Sequence, residues 1–168
     1  MSKEQASGFT HVDETGAARM VDVSGKDVSA RTARATGMVR TSAEVVRLLC
    51  DGELPKGDAL AVARLAGIQG AKRTPDLVPL CHPIALHGVQ VDVAVHDDGV
   101  AIEAVCRTAD RTGVEMEALT AVAAAGLAVV DMVKGVDPAA TITDIRVEEK
   151  GGGATGTWRR DAPEDPRR

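Results

Sequence analysis

Three short stretches of this sequence set ionisable or nucleophilic side chains where they could do chemistry. In Pro79-Leu80-Cys81-His82-Pro83, two prolines hold a thiol and an imidazole in a stiff, extended link. The same pattern also suits a plain connector with a buried thiol and a satisfied imidazole. In Gly113-Val114-Glu115-Met116-Glu117, an extended backbone would aim Glu115 and Glu117 to one side and Met116 to the other. Carboxylates so paired could hydrogen-bond the polar edge of a heterocycle or act as general acid and base. Acids in the first turn of a helix are equally what the helix dipole favours. In Asp131-Met132-Val133-Lys134, the acid and the lysine are i, i+3 neighbours on a helix. An ammonium beside a carboxylate favours the charged form of each, which suits a proton-transfer pair and also an ordinary surface ion pair.

Cations recur where an anion could be gripped. Lys56 precedes Gly57-Asp58 at the expected start of a helix, whose free N–H groups also favour anions. Lys72 and Arg73 fall at that helix's end, and Arg31 and Arg34 on the first expected strand. Such residues are often merely solvated, yet together they could hold a polyanion. The sequence has no GxxxxGK[ST] phosphate loop and no GxGxxG after a strand. His11, His87 and His96 add no ligand at metal-site spacing to His82, so no metal site is expected.

These residues must be positioned by elements legible in the hydrophobic pattern. Residues 28–40 lean to a strand with partial alternation. Thr41-Ser42-Ala43-Glu44 reads as a capping box opening a helix that carries Val45, Leu48 and Leu49. Asp58 caps a second helix with Leu60, Ala63, Leu65 and Ile68 inward, closed by Pro75. Val89, Val91, Val93 and Val95 alternate with polar or small residues over a strand at 87–96, and Asp98-Gly99 marks a tight hairpin. Val100, Ile102, Ala104 and Cys106 alternate back along a partner strand. A helix over 115–134 steps through Leu119, Val122, Gly126, Val130 and Val133, and a last strand covers 141–149. This is the βαββαβ order of an α+β, ferredoxin-like fold: an antiparallel sheet with helices packed on one face. The expected organisation is a flexible N-terminus at 1–8, one catalytic domain at 9–150 and a flexible tail at 151–168, with Trp158 left outside the fold.

Composition bounds the function. A length of 168 residues fits one domain, and 44% hydrophobic with 27% charged residues excludes global disorder. Aromatic residues are 1% of the chain, so the core must be built from small side chains that bury little area each. Association between copies is therefore expected to supply part of the stability. The net charge of −5 argues against general nucleic-acid or anionic-membrane binding. Three scattered cysteines without a CxxC pair argue for a reducing, cytoplasmic setting. The N-terminus is polar, and the longest apolar stretch, Leu119 to Val130, is short for a bilayer span.

The stretches THVDETGAARMVDVSGK, KGDALAVARLAGIQGAKRTPDLVPLCHP, GVEMEALTAV and DMVKGV occur in an order and spacing that resemble the molybdenum cofactor biosynthesis protein C family, the cyclic pyranopterin monophosphate synthases. The resemblance covers about residues 9–152. It implies conversion of (8S)-3′,8-cyclo-7,8-dihydroguanosine 5′-triphosphate to cyclic pyranopterin monophosphate with release of diphosphate. It also implies ferredoxin-like protomers assembled as a hexamer, a trimer of dimers, with sites at protomer interfaces. Carried over motif by motif, Asp131 matches the family's catalytic acid, Lys134 its neighbouring catalytic lysine and Lys56 a further functional lysine. Leu80, Cys81, His82, Glu115, Met116 and Glu117 match substrate-contacting segments, and Lys72, Arg73 and Arg31 match basic positions expected to hold phosphates. No cofactor is required by this resemblance, though magnesium could accompany the triphosphate.

Three other readings compete. An RNA-recognition module shares the element order but needs exposed aromatics on its sheet, which the central strands lack. A non-catalytic ligand-binding module would tolerate loss of Asp131 and Lys134. A metal-dependent nucleotide hydrolase would use His82 and the glutamates and would lose activity on chelation.

Overall fold

In a computed structural model that describes residues 11, 15–153 and 156–161, the chain forms β1 (Ser29–Arg40), α1 (Ala43–Asp51), α2 (Ala59–Lys72), α3 (Thr74–Leu77), β2 (Leu86–His96), β3 (Gly99–Asp110), α4 (Glu115–Val133), β4 (Thr141–Gly151) and β5 (Trp158–Arg159). The strands pair in the order β2-β3-β1-β4-β5, every neighbour antiparallel. The first four strands with α2 and α4 give the ferredoxin-like α+β arrangement that the alternation pattern predicts.

The inward side chains of β2 and β3 are those the period of two selects: Val91, Val93, Val100, Ile102, Ala104 and Cys106 are all buried. Against them lies α4, whose core line is Ala118, Ala121, Val122, Ala125, Val129 and Val133. Among the described residues, α4 alone is long and apolar enough to cross a membrane, but half of it is buried, packed on α2 and on three strands. It is the central core helix of this fold.

With so few large side chains, the core is closed by bringing backbones together. α2 and α4 run antiparallel and meet through glycine and alanine. A Cβ on Gly70 would stand 2.5 Å from Ala124 Cβ and 3.0 Å from the Thr120 carbonyl oxygen. The second helix is therefore rotated from its expected setting. Ala59, Ala63, Gly67 and Ala71 face inward, whereas Leu65 is 66% exposed. Small residues win the buried stripe because the distance between the helix axes leaves no room for a leucine.

Local signals are displaced by a residue in two places. Ser42, not Thr41, is the N-cap of α1 and accepts from the Val45 amide at 3.4 Å. The hairpin turn is Asp97-Asp98, and Gly99 opens β3. Gly99 has φ +144°, and a Cβ there would meet the Val39 carbonyl oxygen at 2.0 Å, so glycine is demanded by the neighbouring strand as much as by the turn. Asp58 caps α2 as expected, accepting from the Ala61 amide at 2.9 Å. Pro75 does close α2, and it also begins the one-turn α3, in a first-turn position that needs no proline N–H.

The tail departs from its expected exclusion. Glu149 pairs with Arg159 and Lys150 with Trp158, so β5 adds to the edge of β4, and Arg160 lies 5.6 Å over the Trp158 ring. Backbone pairing reaches where hydrophobic periodicity gives no signal. The expectation of loose ends at 1–8 and 162–168 lies outside the described residues.

The α2–α4 contact makes a testable demand. Alanine normally favours a helix over glycine by about 1 kcal/mol, but Gly70→Ala should lower stability by about 1–3 kcal/mol through overpacking. A urea midpoint that rises at fixed protein concentration would contradict the close approach.

Candidate functional site

The predicted site residues fall into two groups at opposite ends of the α2–α4 pair. At one end, the turn before α2 carries Lys56 to the last turn of α4. Its Nζ donates to the Asp131 backbone oxygen at 2.7 Å and to Asp131 Oδ2 at 3.2 Å. Lys134 Nζ approaches Asp131 Oδ1 at 2.7 Å. One carboxylate is thus held between two ammonium groups, all three half-exposed. Asp131 is set against the negative end of α4, a cost that the two cations offset. The hydrogen bond from Lys134, then that from Lys56, holds its carboxyl below the ordinary aspartate range. At neutral pH, Asp131 is ionised.

At the other end, a cleft of about 390 Å³ is lined by Leu80, Cys81, His82, Gly113, Glu115, Met116 and Glu117, together with Val21, Val23, Lys26, Thr112 and His11. The turn before it is closed by a hydrogen bond from the Cys81 amide to the Val78 carbonyl at 3.0 Å, and the chain then runs extended into β2. His82 Nε2 lies 2.7 Å from the Val21 carbonyl oxygen. A carbonyl can only accept, so Nε2 carries a hydrogen and fixes the ring's orientation.

The three residues of the Glu115-Met116-Glu117 run are helical, not extended, because α4 begins at Glu115. The two acids therefore diverge around the helix. Glu115 Oε1 pairs with Lys150 Nζ at 3.0 Å, and Glu117 turns inward and is 3% exposed. All three residues nonetheless line the cleft. Burial, with a smaller contribution from Glu115, pushes the Glu117 carboxyl up from its ordinary range. Burial likewise raises the Cys81 thiol, and drives Cys106 up to about 12. Both thiols remain protonated and weakly nucleophilic.

Of the expected phosphate-holding cations, Arg31 lies beside this cleft. Its Nε donates to the Asp110 carbonyl at 3.0 Å and its Nη2 to the Arg111 carbonyl at 3.2 Å. It lines an adjoining polar hollow with Thr32, Gly113, Glu115, Lys150 and Gly152. Lys72 and Arg73 sit at the same end of the helix pair but do not line the cleft of their own chain; Arg73 pairs instead with Asp76 at 3.6 Å. Sequence reasoning missed Lys26 and Lys150. Lys26 lies in an irregular stretch, and Lys150 lies where β4 runs into the expected tail, so neither had a periodic element to mark it. Among the described residues, no group of three or more His, Cys, Asp or Glu side chains is arranged to hold a metal ion.

Glu117 and Asp131 stand fourteen positions apart on one straight element, about 21 Å along the axis at 1.5 Å per residue. No side chain spans that distance.

A ferredoxin-like sheet thus carries a carboxylate between two lysines at one end and, at the other, a cleft with a buried acid and a partly buried thiol, the frame of a small α+β enzyme. Residues 20–153 match the MoaC family, and the chain belongs to it. It is 65% identical over 158 residues to the cyclic pyranopterin monophosphate synthase of Streptomyces griseus, covering 94% of this chain and 89% of that protein. The enzyme of the same name from Streptomyces coelicolor is 67% identical over 152 residues, 90% of this chain and 89% of its own length. Cyclic pyranopterin monophosphate synthase 2 of Mycobacterium tuberculosis is 57% identical over 159 residues, 95% of each chain.

The environment of Glu117 has a consequence for stability. A carboxyl whose folded value is raised binds its proton more tightly in the native state, so stability is highest at low pH. It then declines as pH climbs from the ordinary glutamate range to the raised folded value. Glu117→Gln should remove that decline and be the more stable protein at neutral pH. Parallel denaturation curves at several pH values, with a constant offset between the two proteins, would count against it.

Proposed function

We infer that this chain catalyses the reaction its relatives are named for, the synthesis of cyclic pyranopterin monophosphate. The substrate is (8S)-3′,8-cyclo-7,8-dihydroguanosine 5′-triphosphate, and diphosphate is released. The observation that carries this reading onto particular residues is the Asp131 carboxylate clamped between Lys56 and Lys134. Rebuilding rings on a pterin precursor takes several proton transfers, and a positioned ammonium and carboxylate can supply and accept them. With Asp131 ionised, the donors at the start of the reaction are Lys56 and Lys134. Asp131 holds both in place as ion-pair partner and receives a proton as the reaction proceeds. Glu117, Met116, Leu80 and the Cys81-His82 link hold the heterocycle, with Glu117, whose carboxyl burial shifts towards its neutral form, placed to hydrogen-bond a polar ring edge. Arg31, Lys72 and Arg73, with Glu115 ordering Lys150, hold the triphosphate, and cations there stabilise charge as diphosphate leaves. Magnesium would travel with the triphosphate, and no resident cofactor is invoked.

Because the two groups lie about 21 Å apart in one chain, a complete site in this reading is made by two copies. Val62 and Leu65 on α2 and Leu127 on α4 stand exposed between the two ends, Leu127 at 63%. A two-fold axis crossing this layer would set the Asp131 end of one copy beside the Glu117 end of its partner. The hexamer, as a trimer of such dimers, extends the same proposal, and the enzyme would work in solution in the cytoplasm.

Purified protein given the cyclised triphosphate should release diphosphate and pterin product in equal amounts. Asp131→Asn should slow both by about 100-fold or more. Diphosphate without pterin would indicate a hydrolase, and a substrate that binds without reacting would indicate a binding module.

Shared sites make a separate prediction. Asp131→Asn and Glu117→Ala proteins, inactive apart, should recover about a quarter of the wild-type activity when co-expressed, since half the dimers are mixed and each has one intact site. No recovery, with mixed dimers demonstrated by mass spectrometry, would place both residues in a single-chain site.

A further inference from the structure

The segment that follows α4 is held by a carboxylate that takes no direct part in the site. α4 ends at Val133, and Lys134 is its C-terminal cap, its amide bonded to the Val130 carbonyl at 2.9 Å. The chain then turns sharply, with the amides of Val136 and Asp137 both donating to the Val133 carbonyl, at 2.9 and 3.0 Å. From this turn, Asp137 Oδ2 accepts from the Thr41 hydroxyl at 2.8 Å and from the Ser42 amide at 2.8 Å. Its Oδ1 accepts from the Ala139 amide at 3.0 Å. Thr41 and Ser42 form the junction between β1 and α1, which belongs to the rigid body of the fold.

These bonds have a local effect and a remote one. Locally, they fix the exit of the chain towards Pro138 and β4. The remote effect concerns Lys134, which occupies the last helical position, where an α-helix frays because its carbonyls lack partners. If the turn at 134–137 opens, the Lys134 ammonium is free to leave Asp131. The Thr41 hydroxyl is available because Ser42, one residue later, caps α1. The Asp137 carboxyl is held below its ordinary range by the same donors, Thr41 first, and so it is ionised and accepts fully at neutral pH.

We propose that Asp137 is a positioning residue for the proton-transfer pair: by tying the turn after α4 to the β1–α1 junction, it keeps Lys134 on Asp131. This rests on the reading of Asp131 and Lys134 as the proton-transferring end of the site, and its primary test does not depend on that reading. The groups facing Asp131 are two cations, Lys56 from the turn before α2 and Lys134 from α4. If Lys134 loosens, Asp131 loses its first stabilising partner and its carboxyl titrates at higher pH. Through-space charge acts in the opposite sense. Removing the Asp137 anion would by itself make Asp131 titrate lower. The direction of the shift therefore separates positioning from simple electrostatics.

The experiment follows the Asp131 carboxyl by carbon-detected NMR titration in the wild-type assembly, Asp137→Ala, Lys134→Ala and the double variant, with steady-state kinetics on the same preparations. The expected result is an upward shift of the Asp131 midpoint in Asp137→Ala, with no added shift in the Lys134→Ala background. Alongside it, kcat should fall on the order of tenfold with KM nearly unchanged, since misplacing a reacting group costs rate and not ground-state binding. If Asp137→Ala does not assemble, Thr41→Val, which removes one donor and leaves the carboxylate, is read in the same way with a smaller shift. A midpoint that stays or moves down overturns the proposal even if kcat falls, because Asp137 would then serve stability alone. A midpoint that rises with kcat unchanged also overturns it, by showing that the positioning has no part in turnover. If the wild-type protein makes no pterin product, the functional reading fails while the titration still decides whether Asp137 holds Lys134.

Discussion

With glycine and alanine between them, α2 and α4 lie close enough that the turn entering one helix touches the turn leaving the other. Lys56 reaches both the backbone and the side chain of Asp131 because of this approach. The spacing follows from a core that has almost no aromatic side chains and must be closed by bringing backbones together. A wider crossing would leave voids that the available valines and alanines cannot fill. It would also draw Lys56 off the end of α4.

The electrostatics of the two ends are opposite in kind. At the Asp131 end, half-exposed charges of opposite sign stabilise one another, and the aspartate stays ionised. At the Glu117 end, burial keeps an acid and two thiols towards their neutral forms. In the proposed function, one end moves protons and the other recognises a polar heterocycle by hydrogen bonds that neutral groups can both donate and accept. A single helix carries both and holds them about 21 Å apart. Leu65 and Leu127 stand exposed between the two ends.

Much of this was legible in the sequence. Alternation picked out the inward faces of β2 and β3, the Asp58 cap marked the start of α2, and the element order gave the fold class. The i, i+3 relation of Asp131 and Lys134 follows from helical geometry alone. The errors have physical causes. Leu65 is more hydrophobic than Gly67, yet the glycine is buried because the partner backbone lies there. Of the two readings open for Glu115 and Glu117, the helical first turn holds, because α4 starts at Glu115 as the helix expected over 115–134 requires. Trp158 joined the sheet through backbone pairing, to which side-chain periodicity is blind.

The sequence by itself determined the four long strands and three long helices, the absence of an aromatic core and the identities of the residues able to carry charge and protons. These depend on local geometry and side-chain chemistry, which act within a few residues along the chain. The tertiary structure alone decided that Lys56 meets Asp131 across seventy-five positions, that Lys26 and Lys150 stand beside the cleft, and that Asp137 reaches back to Thr41. Contacts of that kind depend on how closely helices and strands pack, and packing distance is set by both partners at once. No single stretch of sequence contains it.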